Sequence, residues 1–191
     1  NVISITLNAD AYNSGLRKVD LAGDVTAGGT NIVDASLETE NSKGFTIVGS
    51  AGPDNITGAT AADTLQGGAG ADNFIYKSVA TLFSNNALID KLVGNAANES
   101  DTDSIVIDAD ALAGNFTIED TMNFVAGQNQ GNAEWSSIER IAIDGPSNHV
   151  VSIDLHADAV ADGIAEIDLS LDSSHNTSDL SSVTGNGNTT L

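Results

Sequence analysis

Short runs in which apolar and polar residues alternate recur along this chain, set apart by Gly, Asn and Asp. VISITL, LRKVDL, NIV and FTIV all lie before Gly49. Each reads as a short strand, because every second side chain of a strand shares one face. DSIVIDADAL, NFTIED and IERIAID give the same signal between residues 103 and 144. One segment breaks the pattern. In SVATLFSNNALIDKLVG, Ser78–Gly94, apolar residues fall at 79, 82, 83, 88, 89, 92 and 93. That spacing predicts a short helix capped by Ser78 and stopped by Gly94. AGQNQGNAE, residues 126–134, reads as a loop. LRKVDL, IERIAI and IAEIDL, which start at 16, 138 and 164, echo one another. Short strands repeated in this way suit a solenoid, in which each coil buries its apolar residues on the next.

A longer repeat frames these elements. VISITLNADAYNSGLRKVDL, from Val2, returns from Val150 as VVSIDLHADAVADGIAEIDL, with ten of the twenty positions identical at an offset of 148. The likeness continues with gaps, DASLETENSKGFTI facing SSVTGNGNTTL. The chain therefore reads as one module, residues 1–148, followed by the start of a second, residues 149–191. Within the module, residues 1–48 carry short strands, 49–75 a tighter repeat, and 76–148 a mixed helix and strand segment. Such a duplication implies a parent protein with tandem modules.

The tighter repeat counts in nines. In GSAGPDNITGATAADTLQGGAGADNFI, Gly49 to Ile75, Asp falls at 54, 63 and 72, and Ile56, Leu65 and Phe74 follow two places later. Nine residues are two and a half helical turns, so the period is not helical. It fits a six-residue turn and a three-residue strand whose apolar residue points inward. Two units make an 18-residue coil, which stacks Asp54 on Asp72. Carboxylates and turn carbonyls together form an all-oxygen donor set, which suits calcium better than magnesium.

GGAGADNFI, 67–75, matches every defined position of the hemolysin-type RTX calcium-binding nonapeptide, GGxGxDxUx with U a large apolar residue. GSAGPDNIT keeps Gly at the first and fourth places and Asp at the sixth; GATAADTLQ keeps the first Gly, the Asp and the Leu. The segment thus resembles RTX repeats, which implies a parallel β-roll with calcium between turns two repeats apart. Carried over residue by residue, the resemblance implies ligands from Ser50, Gly52 and Asp54 of one turn and Gly67, Ala69 and Asp72 of the other. Asp63 finds Phe at 45 and Thr at 81, so it would be half of an irregular site completed by water or a distant acid. The overall expectation is an all-β chain, a parallel β-solenoid or calcium-binding β-roll with a short inserted helix.

Charge sharpens this picture. Twenty-seven acids stand against six bases, a net charge of −21. Phosphate would be repelled, so nucleic acid is excluded as a partner, and an anionic membrane surface is disfavoured for the same reason. Self-repulsion on this scale opposes compaction unless a cation is bound. There is no cysteine, so thiolate sites and disulfides are excluded. No apolar run is long enough to span a bilayer, so no transmembrane helix is expected. The N-terminus is strand-like with no signal peptide, and the chain reads as a piece excised from something longer.

Other candidates carry less. ESDTDSIVIDAD, Glu99–Asp110, reads as a solvated turn before a strand or as a second calcium loop, but it lacks the Gly and terminal Glu of an EF-hand. Asp10, Asp20, Asp24 and Asp34 are expected to close turns, with calcium between coils as the alternative. His149, His156 and His175 form no metal or catalytic motif, and no GxSxG or phosphate loop occurs. Trp135 is expected to pack in the core or over a coil end.

The run DASL…FTIVGSAGPDNITGATAADTLQGGAGADNF resembles modules of bacterial surface-layer proteins and giant repetitive RTX adhesins. That likeness implies a non-enzymatic structural role at the cell surface and type I secretion. Folding would come on meeting extracellular calcium, and the partners would be neighbouring modules or like molecules in a lattice. Two alternatives stand beside it: the β-roll tail of a type I-secreted hydrolase, and an adhesin module with its own ligand site.

Overall fold

In the computed structural model, the described residues are 2–39, 43–84, 87–95, 101–108, 116–118, 135–144, 151–154, 163–168, 170 and 177–179. They form an all-β structure of parallel sheets. The strands are β1 (Ser4–Thr6), β2 (Lys18–Asp20), β3 (Asn31–Asp34), β4 (Thr46–Val48), β5 (Asp54–Thr57), β6 (Thr64–Gly68) and β7 (Asn73–Tyr76). A single helical turn, α1 (Val79–Leu82), and a hairpin of β8 (Phe83–Ser84) and β9 (Ala87–Leu88) follow. Then come β10 (Lys91–Asn95), β11 (Ser104–Asp108), β12 (Phe116–Ile118), β13 (Trp135–Ser136), β14 (Arg140–Asp144), β15 (Val151–Asp154), β16 (Glu166–Asp168) and β17 (Thr177–Asp179).

Successive strands enter different sheets. The seven-stranded sheet has the order β1-β3-β5-β7-β11-β14-β16 and the five-stranded sheet β13-β10-β6-β4-β2. Up to β7 the chain alternates between these two. From β10 onward a three-stranded sheet, β12-β15-β17, joins the sequence of visits. All these pairings are parallel; only the β8–β9 hairpin is antiparallel.

The registers explain the core. In the seven-stranded sheet Val33, Ile56, Phe74, Ile105 and Ile141 stand directly opposite one another in sequence of strands. In the five-stranded sheet Val19, Ile47, Leu65, Leu92 and Trp135 do the same. Both files belong to one hydrophobic cluster. Each fully buried Ile, Leu or Phe contributes about 1.5–3 kcal/mol, so one inward residue per short strand suffices to stack many strands. Trp135 is 2% exposed and ends one file, as its core reading expects.

The helix expected over Ser78–Gly94 is not formed beyond Val79–Leu82. The reason lies in its second half. From Leu88 to Gly94 buried and half-buried residues alternate strictly, with Leu88, Asp90, Leu92 and Gly94 inside. That is a period of two, and β10 pairs with β6 over Lys91↔Thr64 and Leu92↔Leu65. The loop expected at 126–134 and the three histidines lie outside the described residues.

Candidate metal centre

The acids of the nonapeptides sit two residues before the core ladder, on the same inward face. Asp54 precedes Ile56, Asp63 precedes Leu65 and Asp72 precedes Phe74. This phase alone explains why Asp54, Asp63 and Asp72 are 1%, 2% and 0% exposed. The same rule holds for Asp90 before Leu92 and Asp103 before Ile105, both also buried.

At the start of the seven-stranded sheet's strands these acids form a continuous file. The amide of Asp54 donates to Asp72 Oδ1 at 2.8 Å, 18 residues along. The amide of Asp72 donates to Asp103 Oδ1 at 2.8 Å, and that of Asp103 to Glu139 Oε2 at 2.9 Å. Asn31 opens the file, its Oδ1 accepting from the Ile3 amide. Asp54 Oδ2 accepts from the amide and hydroxyl of Ser50, at 2.6 and 2.9 Å. The two nonapeptide aspartates of the file are not fully served. Asp54 Oδ1 and Asp72 Oδ2 are buried and have no hydrogen-bond partner among the described residues.

The turns before these aspartates stack backbone on backbone. The Ala51 amide donates to the Asp24 carbonyl and the Ala69 amide to the Ser50 carbonyl, both at 3.0 Å. Gly70 has φ of 96°, and a Cβ there would lie 2.8 Å from the Gly52 carbonyl carbon. Only glycine meets both demands. Gly67 is needed for space instead, since a Cβ would fall on Asp72 Oδ2. Asp101 closes the stack, its Oδ2 accepting from the Gly70 amide at 2.8 Å.

A second file starts the strands of the five-stranded sheet. Here Asp63 meets Asp90, 27 residues along, not Thr81. One extra run of nine, holding α1 and the hairpin, separates them. Asp63 accepts from the amides of Phe45 and Ala59, both at 2.6 Å. Asp90 accepts from the Asp63 amide and from the Tyr76 hydroxyl, both at 2.8 Å. All four carboxylate oxygens of this pair therefore have protein donors.

The electrostatics follow from burial. Asp72 is pushed up to about 9 by desolvation, then by the neighbouring charges of Asp103, Asp54 and Asp101. Asp90 is pushed to about 8 by burial and the charge of Asp63. Asp63 reaches about 6, burial outweighing its two amide donors. Tyr76 is raised well above its ordinary value by burial and by Asp90. A buried carboxylate among other carboxylates must take up a proton or a cation.

The structure thus brings Ser50, Gly52, Asp54, Gly67, Ala69 and Asp72 together in two stacked turns and places Asp63 in the other file. No group of three or more acidic, His or Cys side chains spaced to share an ion occurs among the described residues. A cation between Asp54 and Asp72 would therefore draw on backbone carbonyls as well. The donor set is all oxygen, and two of its buried atoms lack a partner, so it fits a hard cation such as calcium. Sequence reasoning missed Asp90 and Glu139, and held Asp101 and Asp103 only within the stretch ESDTDSIVIDAD, read as a solvated turn or a second calcium loop. The signal of Asp90, Asp103 and Glu139 was an acid two places before a buried aliphatic residue, hidden by insertions of uneven length. Asp20, Asp24 and Asp34 close local turns, accepting from the amides of Ala22, Thr26 and Ser36.

No family model matches the chain, and neither the curated proteins nor the solved structures give a match.

Proposed function

We propose that this chain is a non-enzymatic, calcium-binding structural module of a secreted bacterial surface protein, either a surface layer or an adhesin stalk. The observation that carries this reading is the pair of buried, unpartnered oxygens on Asp54 and Asp72, in turns that resemble RTX nonapeptides. Calcium would be held by those carboxylates with carbonyls of Ser50, Gly52, Gly67 and Ala69. It would supply the positive charge that the file lacks. Asp63 and Asp90 are assigned a structural role, because their oxygens are already served by amides and a hydroxyl.

The alternation of strands between two sheets supports a parallel β-roll from β1 to β7. The third sheet, visited from β12 onward, supports a three-sided solenoid beyond it. Folding would follow calcium: a chain of net charge −21 stays extended where calcium is scarce and compacts outside the cell. The test is a calcium titration of chelated protein, with far-UV circular dichroism and scattering radius read together. A change from expanded coil to compact β structure is expected. A chelated chain that is already compact and indifferent to calcium would overturn the proposal.

A further inference from the structure

The duplicated segments occupy different places in the fold. In the first copy, β1 and β2 are edge strands of the seven- and five-stranded sheets. In the second copy, β15 pairs with β12 and β16 pairs with β14, so the preceding strands cover them. Where both copies are described, they share local features. Gly15 and Gly163 both have positive φ, 100° and 117°. Asp20 accepts from the Ala22 amide at 3.0 Å and Asp168 from the Ser170 amide at 2.9 Å. β1 runs on to a parallel partner in β3, and β15 to one in β17.

What differs is the cover. Leu16 is 37% exposed, whereas its counterpart Ile164 is 3% exposed. The amides of Ala165 and Glu166 both reach the Glu139 carbonyl, at 2.8 and 3.1 Å. Arg140 lies 3.6 Å from Asp168, while the counterpart Asp20 turns to Lys18 of its own strand. An apolar residue buried in one copy and exposed in the other marks a surface whose occupant is known: the end of a module.

We propose that residues 2–21 form a docking face for the end of another copy of this module, the strands equivalent to β12 and β14. Superposing the roles of the two copies fixes the joint. β16 is the counterpart of β2 in the duplication but lies in the seven-stranded sheet, and β15 is the counterpart of β1 but lies in the three-stranded sheet. Each sheet is therefore handed on: the seven-stranded sheet of one module becomes the five-stranded sheet of the next, and the three-stranded becomes the seven-stranded. Among the described residues the five-stranded sheet ends at β13, with Trp135. A tandem array then turns by one sheet at every joint while its strands stay stacked. The two copies differ in charge at the joint, since Lys18 stands where Glu166 does. Arg17, an alanine in the second copy, lies over the Tyr12 ring at 3.6 Å and covers this end when no module is docked.

The inference rests on the tandem arrangement in the proposed function, not on calcium. The test is a concatemer in which residues 1–148 run directly into residues 1–191, compared with the 191-residue chain by amide hydrogen exchange, with and without calcium. Exchange at Lys18, Val19 and Asp20 of the second copy is expected to slow at least tenfold relative to the single chain. The amides of β4 and β6, paired in both, should exchange alike. Leu16→Asp in the second copy should abolish the gain, yet leave exchange at Lys18–Asp20 of the single chain within about twofold. Unchanged exchange at the joint would mean that Arg17 and Tyr12 are a permanent cap, and would overturn the proposal. Loss of protection in β4 and β6 would overturn it too, because the joint adds pairing and removes none. A chain that ignores calcium but shows the slowed exchange keeps the joint and loses the calcium reading.

Discussion

The two files of buried acids are built by one sequence device and end in opposite states. Asp63 and Asp90 have a donor for every oxygen: the amides of Phe45, Ala59 and Asp63 and the hydroxyl of Tyr76. Asp54 and Asp72 each keep one buried oxygen without a donor, and the nearest charges to Asp72 are other acids. The difference comes from what occupies the neighbouring coil. Tyr76 reaches inward beside Asp90, while on the other side the coil brings in Asp103. An inward aspartate two places before a core residue is thus no metal site by itself. On the proposed reading, it becomes one where the fold withholds donors.

The sharpest way to break this comparison is the same substitution in both files. Asp72→Asn keeps an oxygen for the Asp54 amide and removes a buried carboxyl that must otherwise hold a proton or a cation. The calcium-free chain should gain stability, by about 2 kcal/mol, and calcium affinity should fall at least tenfold. Asp63→Asn turns an amide donor towards the amide of Ala59 or Phe45. It should lose about 1–3 kcal/mol and leave calcium affinity within about twofold. Urea melts and calcium titrations of both variants read the two effects separately. Equal calcium losses in both would show that the files share one metal network.

The next effect is on pH. In the folded chain without calcium, Asp72, Asp90 and Asp63 keep their protons up to about 9, 8 and 6. Unfolded, each releases its proton near 3.8. The folded state therefore binds more protons between these values, and stability falls as pH rises through that window. The fall should be steepest between about pH 4 and 6, where all three groups contribute. A chelated chain should melt at higher urea at pH 5 than at pH 8. Calcium should narrow the gap, because it replaces the proton at Asp72, and its affinity should rise with pH.

Those files also show how much was legible beforehand. Asp54 and Asp72 were readable because they lie two nonapeptides apart with no insertion between them. Asp63 was readable as half of an irregular site completed by water or a distant acid, but which acid was not, since the extra run of nine before Asp90 moved the counterpart past Thr81. Asp103 was hidden the same way, 31 residues from Asp72, in a segment whose density of acids looked like solvated surface. The strands were legible from alternation, whereas the order of sheets was not. Nothing local in FTI or VSID says which sheet a strand will join. The helix misreading has the same root: Leu88 and Leu92, four apart, fit a helical period as well as a strand, and only pairing with β6 decides.

A steric test separates space from charge. Gly67→Ala would place a Cβ on Asp72 Oδ2 and 2.7 Å from the Gly94 carbonyl oxygen. Neither atom can move far, one being backbone and the other held in the file. A loss of about 1–3 kcal/mol is expected, with weaker calcium binding because the carboxylate is displaced. Differential scanning calorimetry with and without calcium measures both. A neutral result would mean that the turns are looser than their stacking implies.

The smallest expected effect concerns Tyr76, the residue that makes the second file self-sufficient. Tyr76→Phe keeps the ring, which is buried in the core, and removes only the hydroxyl that serves Asp90 Oδ2. A buried acceptor is then left without its donor, a loss of about 1 kcal/mol above pH 8, where Asp90 ionises. The hydroxyl also favours the ionised form of Asp90, so without it Asp90 holds its proton to still higher pH. The protonated acid needs the donor less, and the loss should shrink towards pH 5. Urea midpoints of the variant and the parent at pH 5 and 8 test this. If calcium stabilises the variant more than it stabilises the parent, the vacated oxygen has begun to act as those of Asp54 and Asp72 are proposed to act. The distinction between the files would then rest on a single hydroxyl.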